Sequence, residues 1–245
     1  MSAEGWQPRG LQEMLVRHSG QISSRKLDLF NCWCCQVLRP YLTDRRSIAA
    51  ARFAERNVDE GWPNNEERLL ILAGARQAVH DLVHWEKKAP TAAERRKRRV
   101  YLYAALVAKQ TIDIDELPSR GLLSNAKYTA YVFGWANDDG PSAPRDGSPD
   151  SEGLRETHLH MQEAVFRDIV GDADHPITFD PRWRTSDVVG VARGIYDDKV
   201  FVRMPILADA LMDAGCEDEQ VISHCCSRGP HVRGCWVVDL VLSRE

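Results

Sequence analysis

The sequence predicts a mainly α protein, a multi-helical bundle with a compact C-terminal helical segment. Three observations carry this expectation. Apolar residues recur three and four apart through most of the chain. Serine, threonine or aspartate stands ahead of several of these runs as a helix cap. Pro40, Pro63 and Gly215 fall at the ends of runs, where a helix is stopped or started.

In order, Leu11, Met14, Leu15 and His18 share one face of a short first helix. Ser23 or Ser24 caps a second, whose stripe of Leu27, Phe30, Cys34 and Leu38 ends before Pro40. Thr43 or Asp44 caps a third running through Ile48, Ala51 and Ala54 toward Asn57. Pro63-Asn64-Asn65 opens a fourth, with Leu69, Leu72, Arg76, Val79, His80, Val83 and His84 in helical period. Thr91 caps a fifth, basic at Arg95 to Arg99 and apolar from Tyr101 to Ala108, and a sixth is read over Ala126 to Trp135. Leu154 to Val170 is helical in pattern, and His175 to Pro181 reads as an extended turn. Three short helices follow near 185–197, 204–215 and 217–226; Cys235 to Leu242 reads as helix or strand, and Pro230 favours a helix, on which His231 and Cys235 share one face.

Residues 139–153 interrupt this pattern with an acidic stretch rich in Pro, Gly and Ser, expected as an exposed linker or loop. The expected organisation is an N-terminal helical region over 1–138, this linker, and a C-terminal helical region over 154–245 packed on the first. Charge follows the same division. Residues 1–138 hold 21 Lys/Arg against 16 Asp/Glu, a net +5; residues 139–153 carry −3 and residues 154–245 carry −6. Ends of opposite sign argue against a dedicated nucleic-acid binder.

With 43% hydrophobic and 28% charged residues the composition is that of a globular protein. No apolar run approaches the ~20 residues that span a bilayer, so no membrane partner is expected. The start of the chain lacks the basic and apolar stretches of a signal peptide, and a cytoplasmic location is the expectation. Seven cysteines, an odd number, in a reducing compartment are expected as free thiols or metal ligands.

Four of those seven cysteines and two of the eight histidines fall between Cys216 and Cys235. Zinc takes four nitrogen or sulfur ligands, and Cys216, Cys225 (or His224), His231 and Cys235 would supply them. The spacing Cys-x8-Cys-x5-His-x3-Cys matches no standard finger, because its first pair lacks the tight gap of two to four residues. The simpler expectation is that these thiols are small buried hydrophobes. Cys32-x-x-Cys35 lacks the preceding strand of a redox motif and is expected to pack. His80-Asp81-Leu82-Val83-His84 resembles a zinc-protease helix but has aspartate in the glutamate position and no third ligand downstream. His158 and His160, two apart, diverge on a helix and are expected at the surface. Arg95, Arg96, Lys97, Arg98 and Arg99 read first as a solvated helix start; the alternative is a patch for an anionic partner, with no interleaved aromatics to stack bases.

Two stretches also resemble a known family. Ser24 to Cys35 with Leu42-Thr43-Asp44 is one. The other comprises Phe179 to Trp183, Ala192 to Tyr196, Arg203 to Leu211, Asp213 to Cys216 and Gly229-Pro-His-Val-Arg-Gly-Cys-Trp-Val-Val-Asp239. Both are similar to an uncharacterised bacterial family much expanded in planctomycetes. The chain departs from that pattern at Cys226-Ser227, and residues 60–150 match weakly. The resemblance implies a bacterial protein but no activity.

No phosphate-binding glycine loop, dinucleotide fingerprint or nucleophile elbow is present. The expectation is therefore a non-enzymatic helical interaction or structural module without a cofactor. Its partner would be an unknown protein or a second copy, and Val237, Val238, Leu240, Val241 and Leu242 need a covering face, internal or from another subunit. The alternatives are a zinc-binding protein with a C-terminal Cys/His site, or weak nucleic-acid association through Arg95 to Arg99.

Overall fold

The structure, a computed structural model, describes residues 9–18, 20–61, 66–113, 118–136, 149–172 and 177–244. Among them lie eleven α-helices and no strand, so the chain is a mainly α, multi-helical protein as predicted. It divides into two compact units, Met1–Arg17 with Leu27–Gln162, and His18–Lys26 with Glu163–Glu245.

The first unit contains α1 (Arg9–Arg17), most of α2 (Ser24–Val37), α3 (Arg45–Asn57), α4 (Glu66–Lys87), α5 (Ala92–Ile112), α6 (Pro118–Ala136) and the first part of α7 (Pro149–Val170). Several caps are those read from sequence. The Ser23 hydroxyl accepts from Lys26 N–H, Asp44 from Arg46 N–H, and Thr91 from Glu94 N–H. Helix α5 packs against α3, α4 and α6. Its buried face of Ala104, Ala105, Val107 and Ala108 is short enough for close approach. Several polar groups in this core are hydrogen-bonded. The Thr111 hydroxyl donates to Val107 O, which leaves its oxygen to accept from the Cys35 thiol at 3.2 Å. Asn125 donates to the Asn31 side chain, and Gln162 to Ala126 O.

The second unit takes up the end of α7 and holds α8 (Ser186–Asp198), α9 (Met204–Asp213), α10 (Glu219–Cys226) and α11 (Trp236–Leu242). Thr185 and Asp218 cap α8 and α10. Gly215, at φ +84°, ends the α9 segment as expected. Val188, Ala192, Ile195, Met204, Leu207, Leu211, Val221, Val237, Val238 and Val241 form one apolar core, with Leu242 against it. The apolar face of the last helix is thus covered inside its own unit. The buried Asp239 carboxylate pairs with Arg25 at 2.8 Å and Lys26 at 2.9 Å, and Lys26 also donates to Ile169 O and Gly234 O.

Three local expectations are corrected. The last helix starts at Trp236, not near Pro230. Gly234 stands at φ +92°, and the Val232 N–H is given to the Asp168 carboxylate, so residues 231–235 are non-helical. The sixth helix begins earlier, at Pro118, and the seventh at Pro149, a residue suited to a first helical turn. Residues 149–153 of the expected linker are therefore helical, while 139–148 lie outside the described residues, as do Pro63-Asn64-Asn65.

Candidate metal centre

The last turn of α7 carries the centre of the site. Val165, Phe166 and Ile169 are buried, and Asp168 falls within the same stripe at 3% exposure. The helix stops at Gly171, whose φ of +79° suits glycine. On α10, Val221 and Cys225 face the apolar core and His224 flanks them, half-buried. The chain then turns through Gly229 (φ +83°) and a cis Gly229–Pro230 bond, and returns with His231 and Cys235.

Four side chains meet there. Asp168, His224, His231 and Cys235 each offer one donor atom, and these atoms all lie within 4.8 Å of one another. Asp168 Oδ1 is 2.9 Å from His231 Nδ1 and 3.1 Å from His224 Nε2, while Oδ2 accepts from Val232 N–H at 2.9 Å. His224 Nε2 also stands 3.2 Å from Cys235 Sγ. The indole N–H of Trp236 donates to His224 Nδ1 at 3.1 Å. A neutral imidazole has one N–H, so the proton of His224 is on Nε2, directed at Asp168 and Cys235. His231 Nδ1 donates to the carboxylate, and its Nε2 lies 3.3 Å from Ser227 O.

Burial opposes charge on Asp168, but hydrogen bonds from His224, His231 and the Val232 N–H outweigh it and hold the carboxyl below its ordinary value. Desolvation likewise opposes a charged His231. The Asp168 hydrogen bond and negative charge prevail and raise it above an ordinary histidine. Burial, reinforced by the Asp168 charge, pushes the Cys235 thiol well above its usual range. A fully buried thiol of that kind is no nucleophile. The geometry is not that of a cysteine–histidine–aspartate triad either, because one nitrogen of His224 faces both Cys235 and Asp168.

The donor set suits a borderline-soft transition ion. One sulfur, two imidazole nitrogens and one carboxylate oxygen form a zinc-type set, whereas Mg²⁺ and Ca²⁺ take oxygen. Ligand bonds of about 2.0–2.3 Å in a tetrahedron place donors about 3.3–3.6 Å apart. The close pairs at 2.9–3.2 Å and the outer limit of 4.8 Å bracket that value. To admit an ion the close pairs would open by a few tenths of an ångström and the widest would close by about 1 Å. The side chains of Asp168, His231 and His224 are only 2%, 7% and 18% exposed. Four protein donors in a closed setting match a structural ion more than a catalytic one with an open position.

Of the residues expected from sequence as ligands, His231 and Cys235 are in this cluster, and Cys216 and Cys225 are not. Both of the latter are buried in the apolar core, and burial pushes Cys225 up to about 12. His224, the alternative to Cys225, takes its place. Asp168 was missed, although an aspartate within the buried stripe of an amphipathic helix was a visible signal. In the other unit, Cys32, Cys34 and Cys35 are buried, and Cys35 is pushed up to about 12 by burial. His84 Nδ1 bonds to His80 O, and Asp81 is engaged by Arg46 and Gln77. His160 is exposed, but His158 is buried and stacked on Trp33, contrary to the expected surface position. In the basic run, Arg95 and Arg99 face Glu86, and Arg98 pairs with Glu94 and lies over the Trp85 ring. Among the described residues no helix is long and apolar enough to cross a membrane. No protein-family model, curated protein or solved structure matches this chain.

Proposed function

We propose that this chain is a zinc-binding helical module of structural rather than catalytic role, with Asp168, His224, His231 and Cys235 as the four ligands. One observation carries the reading. Four acidic side chains are buried among the described residues: Glu86, Asp113, Asp168 and Asp239. Glu86 is answered by Arg95 and Arg99, Asp113 by Arg76 and Lys109, and Asp239 by Arg25 and Lys26. Asp168 alone of these is met by two imidazoles and a thiol, groups that lose their protons to bind a metal.

The test is elemental analysis of the purified full chain, with melting measured before and after chelation. One equivalent of zinc and a melting point lowered by chelator are expected. Cobalt(II) in place of zinc should give a thiolate charge-transfer absorption that C235S removes. No stoichiometric metal, with melting indifferent to chelator and to added zinc, would sink the proposal. A second reading is favoured by the Trp236 hydrogen bond. Here the same four groups form a hydrogen-bonded knot around a buried carboxylate, with His231 as the cation, and hold the unit together without an ion.

A further inference from the structure

We infer that Trp236 is a positioning residue that gates the site, holding His224 in a tautomer unable to bind metal until an ion displaces its hydrogen bond. The inference rests on the zinc reading above. It starts from the two nitrogens of one ring. His224 Nε2 faces Asp168 Oδ1 and Cys235 Sγ, so it is the nitrogen that would ligate. Ligation needs a lone pair there, and in a neutral imidazole the proton must then sit on Nδ1. Nδ1 now faces the Trp236 N–H at 3.1 Å. Indole nitrogen is a donor only, so the loaded ring would set one N–H against another. Metal-ligating histidines ordinarily turn their second N–H toward an acceptor. Trp236 supplies the opposite.

The indole is also placed with care. It lies 5.0 Å from the His224 ring, at the first residue of α11. Behind it is Gly171, where an added Cβ would come within 3.1 Å of Trp236 Cγ. Asp168, three residues earlier, belongs to the cluster, so α7 both presents a ligand and leaves room for the indole. Ion capture and the start of α11 are thereby coupled. Loading moves the His224 proton from Nε2 to Nδ1 and turns the Trp236 N–H away. The free chain is held in the unloaded arrangement by the hydrogen bond that must break.

The experiment compares zinc affinity of the full chain and W236F by competition with a chromophoric chelator. Removing one neutral hydrogen bond from the unloaded state should tighten binding by about 2- to 10-fold. In the native chain, long-range nitrogen–proton NMR should place the His224 proton on Nε2 without zinc and on Nδ1 with zinc. The Trp236 indole N–H should lose protection from exchange on loading. This second measurement stands if W236F does not fold. A His224 tautomer and indole resonance unchanged by zinc, or equal or weaker affinity in a folded W236F, would overturn the gate and leave the ion site intact. Failure of the native chain to bind zinc would overturn both.

Discussion

The two units use the same residue types to different ends. In the first, Cys32, Cys34 and Cys35 lie buried on one helix, and His158 stacks on Trp33 at 5.9 Å. In the second, Cys235 and two histidines converge on Asp168. Nothing intrinsic to cysteine or histidine separates these outcomes. The difference is the carboxylate. Where neighbours are apolar groups or neutral hydroxyls, as for Cys35 beside Thr111, a thiol is a small hydrophobe and an imidazole a neutral ring. Where a buried, charged oxygen faces them, the same groups become donors arranged around a point. The lesson concerns how cysteine-rich stretches should be read: the acid decides, and it can lie far off in sequence, here 56 residues before the nearest histidine of the cluster.

The largest effect should follow from removing that acid. D168N keeps the volume but withdraws the charge from His231 and sets an amide N–H against either the Val232 N–H or both imidazoles, and should cost roughly 3 kcal/mol or more in urea unfolding. It should also abolish zinc uptake. If D168N is as stable as the parent and still binds metal, the contrast between the units is wrong. Next in size is acidification of the first unit. Burial lowers His158 to about 4 from the ordinary 6.5. A histidine whose folded value is depressed favours folding in its neutral form. Stability is therefore full above about pH 6.5 and falls as pH drops toward 4, by roughly 3 kcal/mol in all. H158F should remove most of this dependence in denaturation curves taken across that range.

The cysteines sharpen the comparison further. C34A should cost about 1–2 kcal/mol by cavity formation, equally with and without chelator. C235A should cost more in the presence of zinc than in its absence, and the difference between the two chelator responses is the quantity to measure. The smallest effect belongs to the basic run. Arg95 is half-exposed and 3.9 Å from Glu86, so R95Q should change stability by no more than about 0.5 kcal/mol. A larger loss would mean that the run does more than face solvent and its own acids.

Much of the helical order was legible because it is local. Asp44, Thr91, Thr185 and Asp218 each hold the N–H groups of the turn that follows, and spacing within each run reports its buried face. What failed depended on contacts between distant segments. A helix starting at Pro230 is reasonable until Asp168 takes the Val232 N–H. His158 reads as a surface residue until Trp33, 125 positions earlier, is stacked against it. Half of the cluster, His231 and Cys235, was legible from density alone. Spacing alone leaves Cys225 and His224 as alternatives for one ligand, and only the packing of α10, which turns Cys225 into the core and leaves His224 at its edge, separates them. Asp168 carried a signal, an acid among Val165, Phe166 and Ile169, that only burial could make decisive.

Gly171 has a consequence for chains descended from the same ancestor. Its left-handed backbone and the indole pressed over it leave any side chain there both strained and crowded. The position should therefore vary together with Trp236, while Asp168, His224, His231 and Cys235 should be kept or lost as a set. Written as spacing, that is Asp-x2-Gly, then His-x6-His-x3-Cys-Trp. Sequences holding the second half but lacking the aspartate would mark lineages in which the centre has decayed to ordinary packing.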